Sequence, residues 1–128
     1  MKLKIETNTI DMDIEQLRMY CLQKKQVTES FPFDEQTLVF KVSDKMFAVI
    51  GLEKHPHSVN LKCNPEKALE LRERYQAVSP EYHMSKKHWN TIQLAYDMSS
   101  EELKYWIDHS YHLVVNGFSK KKQKELGL

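Results

Sequence analysis

The stretch Thr37-Leu38-Val39-Phe40-Lys41-Val42-Ser43-Asp44-Lys45-Met46-Phe47-Ala48-Val49-Ile50-Gly51-Leu52 decides how this chain folds. Its first six residues set Leu38, Phe40 and Val42 against Val39 and Lys41, the two-residue period of a strand with one face toward a core. Ser43-Asp44-Lys45 carries turn chemistry and Met46–Leu52 is a second β-rich run, so the stretch predicts a hairpin. Downstream, Glu53–His57 is a polar loop around Pro56. Ser58–Cys63 then alternates again, with Val59, Leu61 and Cys63 on one face and Asn60 and Lys62 on the other. Three strands therefore follow one another as a meander.

Helical signals flank the meander. Asp13–Lys25 places Ile14, Leu17 and Cys21 at helical spacing, and Asp13 with Gln16 resembles a capping box. Val27–Gln36, with Phe31, Pro32 and Phe33, suggests an extended, kinked segment at a sheet edge. Asn64-Pro65-Glu66 offers a cap, a first-turn proline and an acid near the positive helix end, predicting a helix to about Gln76 that buries Ala68, Leu71 and Tyr75. Ala77–Asn90 lacks a sustained period and is expected as an ordered loop into a strand at Thr91–Tyr96. Ser99-x-x-Glu102 is a capping box, after which Leu103, Trp106, Ile107, Ser110 and Val114 mark the longest helix, stopped by Gly117. A lysine-rich helix over Ser119–Leu126 closes the chain. Met1–Asp11 has no helical stripe; a leading strand, an irregular extension and an upstream start all remain open. The order α-β-β-β-α-β-α predicts an α+β domain with an antiparallel sheet packed against helices. Trp106 is expected in its core.

At 128 residues the chain fits one domain, 1–128. Nineteen Lys+Arg against eighteen Asp+Glu give a net charge of +1, which excludes a polycation that holds nucleic acid by bulk charge and leaves a local basic patch open. The two cysteines, Cys21 and Cys63, are too few for a disulfide framework and read as buried thiols in a reducing compartment. No apolar run approaches the ~20 residues of a membrane span and no signal-peptide core opens the chain, so a cytoplasmic protein without a membrane partner is expected. Three glycines cannot write a phosphate-cradling loop, and neither a nucleophile elbow nor His-Glu-x-x-His occurs. No catalysis is expected, although spacing alone leaves a Cys63–histidine dyad open. The pairs His83/His88 and His55/His57 lack a third ligand at fixed spacing and read as structural histidines, so neither a metal nor a cofactor is expected.

Pro80-Glu81-Tyr82-His83-Met84-Ser85-Lys86-Lys87-His88-Trp89-Asn90-Thr91-Ile92 resembles the signature loop of the MmcQ/YjbR family. The resemblance runs from about Met12 to Leu126, through the hairpin, Leu61-Lys62-Cys63-Asn64-Pro65-Glu66 and Asp108-His109-Ser110-Tyr111. It implies a frataxin/CyaY-like fold and DNA binding by a double-wing motif, in a small bacterial domain without known catalysis. Frataxin-type iron binding goes with an acidic first helix. Here Asp13 and Glu15 stand beside Arg18, Lys24 and Lys25, a departure from that pattern.

Local charge bears on the DNA expectation, because phosphate binding needs cations on one face. Leu38–Cys63 holds Lys41, Lys45, Lys54 and Lys62 against Asp44 and Glu53, and Tyr82–Ile92 holds Lys86 and Lys87 with His83 and His88 and no acid. These six lysines are the expected phosphate contacts of a weak, sequence-tolerant interface with nucleic acid, DNA first. His88, Trp89 and Asn90 would offer stacking or groove contacts. The plainer alternatives are outward lysines that protect strand edges, Trp89 as a lid on the core, and a solvated helix end at Lys120, Lys121, Lys122 and Lys124. A different function class is a protein- or small-ligand-binding module in which Tyr82, Trp89, Tyr96 and Tyr111 line a pocket. A continuous basic stripe favours nucleic acid, and an apolar cleft without one favours the module.

Overall fold

The structure, a computed structural model, describes residues 12–128; the opening segment Met1–Asp11 lies outside the described residues. Chain order is α1 (Ile14–Leu22), β1 (Val27–Ser30), β2 (Thr37–Val42), β3 (Lys45–Gly51), β4 (Ser58–Lys62), α2 (Pro65–Arg74), β5 (Val78–Pro80), β6 (Trp89–Gln93), α3 (Ser100–Gly117) and α4 (Lys120–Leu126). The six strands form one antiparallel sheet in the order β1-β2-β3-β4-β6-β5. The fold is α+β, as the hairpin and its flanking helices predict. Among the described residues no helix is long and apolar enough to cross a membrane.

Helix starts are where the sequence places them. The Asp13 carboxylate accepts from the Gln16 N–H at 2.8 Å, and the Gln16 side chain accepts from the Asp13 N–H at 3.0 Å, satisfying two N-terminal donors of α1. Asn64 caps α2 through the N–H groups of Glu66 and Lys67, and Ser99 caps α3 through that of Glu102.

Two short edge strands join the expected four. β1 lies in the segment expected to be extended, and β5 in the stretch expected to be a loop. β5 is three residues long and ends on Pro80, which an edge strand tolerates because the lost N–H needs no ladder partner. The strand expected over Thr91–Tyr96 starts earlier, at Trp89, and ends at Gln93, so Tyr96 is an exposed loop residue whose hydroxyl donates to Gln76.

The ladder register sorts the two sheet faces. One row across the sheet runs Glu29, Phe40, Ala48, Leu61, Asn90, Pro80, and the next runs Ser30, Val39, Val49, Asn60, Thr91, Ser79. Helices cover the first face: Arg18 of α1 reaches Glu29 at 2.7 and 2.8 Å, Arg72 of α2 reaches Asn90, and α3 packs on β3 and β4. A bulge at Phe40/Lys41 leaves Phe47 unpaired between Ala48 and Met46. That irregularity lets two consecutive residues, Phe47 and Ala48, both be fully buried, and the Phe47 ring meets Tyr111 edge-on at 5.5 Å. The main core gathers Leu17, Cys21, Phe40, Ile50, Leu61, Ile92, Ile107 and Val114.

Trp106 corrects the expected stripe. It packs against the core edge only partly buried, stacked edge-on with Tyr105 and His109. Position 106 falls at the flank of the α3 stripe, where Ile107 and Ser110 take the central places. Tyr75 is likewise partly buried, its hydroxyl donating to Glu102 of α3 at 2.9 Å.

Candidate nucleic-acid interface

The sheet face that no helix covers among the described residues carries a second, smaller apolar surface. Val39, Val49 and Trp89 are buried yet stand apart from the main core. Trp89 enters here because β6 starts one residue after the turn Ser85–His88, whose His88 N–H donates to Ser85 O at 3.0 Å, and pairs directly with Lys62. Two clefts share Trp89 and Met46 in their lining. The smaller, about 350 Å³, is lined by Lys45, Lys62, Leu113, Val114 and Phe118 beside those two residues. The larger, about 560 Å³, runs over Val49 and Asn60 to Phe33, Lys54, Glu81 and His83.

The structure brings some of the expected lysines together and separates others. Lys45 opens β3 beyond a turn whose Ser43 has φ 58°, and Lys62 ends β4 with its N–H on the Ser110 hydroxyl at 2.9 Å. Both line the smaller cleft, and Lys54, exposed in the β3–β4 loop, lines the larger. Lys41 is half-buried in β2 opposite Met46. Lys86 and Lys87 are exposed on the loop that precedes β6: the Lys86 ammonium stands 5.8 Å from the Tyr82 ring centroid, and Lys87 borders a separate hollow with Pro65, Leu69 and Arg72. His88 is half-buried, and its carbonyl accepts from the Cys63 N–H at 2.7 Å.

Asn90 corrects the expectation of a groove contact. It is 1% exposed, its oxygen accepts from Arg72 Nε at 2.7 Å, and its amide donates to the Ala68 carbonyl at 3.3 Å. With both polar ends used inside, it presents no edge to a base. Trp89, at 8% exposure, lines both clefts as part of their wall and offers no open stacking platform.

Glu81 is the residue that sequence reasoning missed. Its backbone extends the β5 edge by donating to the Trp89 carbonyl at 3.2 Å, which turns the side chain into the larger cleft at 9% exposure. Oε1 accepts the His83 N–H at 2.9 Å and faces the His83 ring at 3.2 Å; Oε2 lies 3.0 Å from the Thr91 hydroxyl, which also reaches Asn60 Oδ1 at 2.9 Å. Burial pushes this carboxyl upward, but hydrogen bonds from the His83 N–H, the Thr91 hydroxyl and the His83 ring outweigh it, leaving Glu81 below the ordinary carboxylate range and charged at neutral pH. Its only signal in the sequence is an acid directly after Pro80, ahead of a stretch without acids.

Cys63 is a buried free thiol that burial pushes up to about 11, and His109 Nε2 is occupied as acceptor of the Asn64 N–H at 3.1 Å. The His55 and His57 rings stack 4.5 Å apart across Pro56, and no group of three or more His, Cys, Asp or Glu among the described residues is placed to hold a metal ion.

An antiparallel sheet with helices packed on one face, one cleft over its other face and a smaller lysine-lined cleft at the sheet end beside α3 defines, among the described residues, an α+β domain. The family model described as YjbR matches residues 22–113, and the chain belongs to the YjbR family. It is 33% identical over 115 residues to the protein YjbR of Escherichia coli K12, covering 90% of this chain and 98% of that one. The crystal structure of the Deinococcus radiodurans protein DR2400, of the domain family DUF419, superposes with a TM-score of 0.86 at 38% identity, covering 94% of this chain and 91% of that one. A Pseudomonas syringae protein follows at TM-score 0.68 and 27% identity, over 80% of this chain and 98% of that one. None of these names states an activity or a ligand, so they carry family and fold.

Proposed function

We propose that this domain is a non-catalytic nucleic-acid-binding protein, with DNA as its first candidate partner, that holds the strand along the groove made by its two adjoining clefts. The observation that supports this reading is the run of Lys45, Lys62 and Lys54 along clefts that share Trp89 and Met46. Asp44, the acid beside Lys45, is drawn off toward Lys122 at 3.6 Å. Lys86 and Lys87, which line neither cleft, serve as outer contacts. With so few cations, affinity falls in the ~10⁻⁴–10⁻⁶ M range of non-specific complexes at physiological salt.

The test is a titration of labelled single-stranded and duplex DNA at several salt concentrations. Each phosphate contact contributes about 0.7–0.9 to the log–log salt slope, so Lys45→Ala/Lys62→Ala lowers the slope by roughly 1.4–1.8. Lys86→Ala/Lys87→Ala has the smaller effect. Absence of binding to either form at low salt overturns the reading. The apolar floor of the larger cleft then favours the small-ligand module instead.

A further inference from the structure

We propose that the larger cleft receives one unstacked guanine base of a bound single strand, its Watson–Crick edge read by the Glu81 carboxylate. This rests on the nucleic-acid reading and deepens it by naming the base and the strand form.

The cleft's size comes first. About 560 Å³ lies within the ~300–1,000 Å³ of small-molecule sites, and its walls, Val49, Met46, Met84 and Trp89, suit a flat aromatic body. Its polarity is uneven. Glu81 sits in the interior with the exposed His83 ring as its one ionisable contact among the described residues, while the fixed cation, Lys54, is on an exposed loop. A matching ligand carries hydrogen-bond donors on its inner end and negative charge on its outer end. A nucleotide within a strand has that layout; a simple organic cation meets Lys54 unfavourably.

Donor supply inside the cleft points to the same chemistry. The Thr91 hydroxyl has one proton and stands between two acceptors, Glu81 Oε2 and Asn60 Oδ1. A carboxylate accepts about four hydrogen bonds, and the His83 ring, 97% exposed, is free to swing aside while its backbone N–H stays on Oε1. One acceptor position then opens on each oxygen. Guanine presents two adjacent donors, N1–H and the N2 amino group, to such a pair. Thymine and uracil flank one N–H with two carbonyls, and adenine and cytosine set their amino group beside a ring acceptor. Phe33, 66% exposed at the rim, offers a face on which the neighbouring base stacks. A base can reach the cleft only when it is unpaired, so single strands are preferred.

The experiment is a fluorescence-anisotropy titration of three labelled strands against the whole chain: a thymidine heptamer, the same heptamer with a central guanosine, and one with inosine in its place. The guanosine strand is expected to bind about tenfold tighter than the thymidine strand, the scale of one good bidentate base contact. Inosine, which lacks the N2 amino group, should lose most of that advantage. Glu81→Gln should bring the guanosine and thymidine strands to equal affinity, and Phe33→Ala, at an exposed position, should weaken all three strands alike. Equal binding of guanosine and thymidine strands, undiminished binding of inosine, or a preference that survives in a folded Glu81→Gln protein overturns the base pocket while strand binding stands. If no strand binds at low salt, the nucleic-acid reading falls and the base pocket with it.

Discussion

Arg72 in α2 donates through Nε to the side-chain oxygen of Asn90 in β6 at 2.7 Å, and through Nη2 to the Lys86 carbonyl. One guanidinium thus ties a helix to the buried start of a strand and to the loop that carries Lys86 and Lys87. The loop's position depends on that charge-assisted link.

Asn90→Ala removes the acceptor for Arg72 and the donor for the Ala68 carbonyl in a site that water does not reach. Leaving such groups unpaired costs about 2 kcal/mol, which lowers the melting temperature of a domain this size by roughly 5–10 °C. A thermal melt that matches the parent protein would place Asn90 on the surface, contrary to the structure.

Ser110 is fully buried at the centre of α3, donating to the Phe47 carbonyl at 2.6 Å and accepting from the Lys62 N–H at 2.9 Å. It satisfies the backbone of β3 at its bulge and of β4 at its end. Ser110→Ala is expected to cost about 1–3 kcal/mol, seen as a lower denaturation midpoint in guanidinium with an unchanged slope. A smaller midpoint shift in Ser110→Ala than in the exposed control Lys121→Ala would refute this.

His109 is held below the ordinary imidazole value by burial, then by the nearby Lys67 and His112. Its Nε2 accepts from the Asn64 N–H and must be unprotonated to do so. Because the folded-state value is the lower one, the unfolded chain binds more protons in the window between them, and stability rises with pH there. The contribution is fully present above about pH 6.5 and is lost as pH falls through the folded value. His109→Gln, which keeps an acceptor without titrating, should flatten the loss of stability between about pH 7 and pH 5 in paired urea melts. Parallel pH profiles would show that His109 carries no such linkage.

Burial pushes the Cys21 thiol up to about 12 and the Cys63 thiol up to about 11, and both residues lie inside the core. At pH 8 neither holds an appreciable thiolate fraction, so neither should react with an aromatic disulfide reagent until the chain is unfolded in urea. Prompt reaction of one thiol in the native protein would contradict this burial.

The hairpin, the capping box at Asp13, the Ser99 N-cap and the Asn64-Pro65 helix start were legible in the sequence, because each rests on interactions within a few residues or on a simple period, although Ser99 receives only the Glu102 N–H and the Glu102 carboxylate turns to Tyr75 instead of closing a box. So was the α3 stripe, except at its flank, where only packing decides that Ile107 and Ser110 go inward and Trp106 stays at the edge. The lysines of the candidate site could be named from the sequence, but whether they share a face could not. Lys45 and Lys62 meet because antiparallel pairing brings the start of β3 and the end of β4 to one end of the sheet, under α3, while Lys87 falls on another side of its loop. Asn90 and Glu81 exchanged their expected weight for the same reason. Nothing local distinguishes a polar side chain that enters the helix-packed face beside Arg72 from one that an edge strand turns into a cleft. Short-range chemistry and periodicity set the elements; the register of the sheet, fixed by long-range pairing, decided which side chains meet and which face they share.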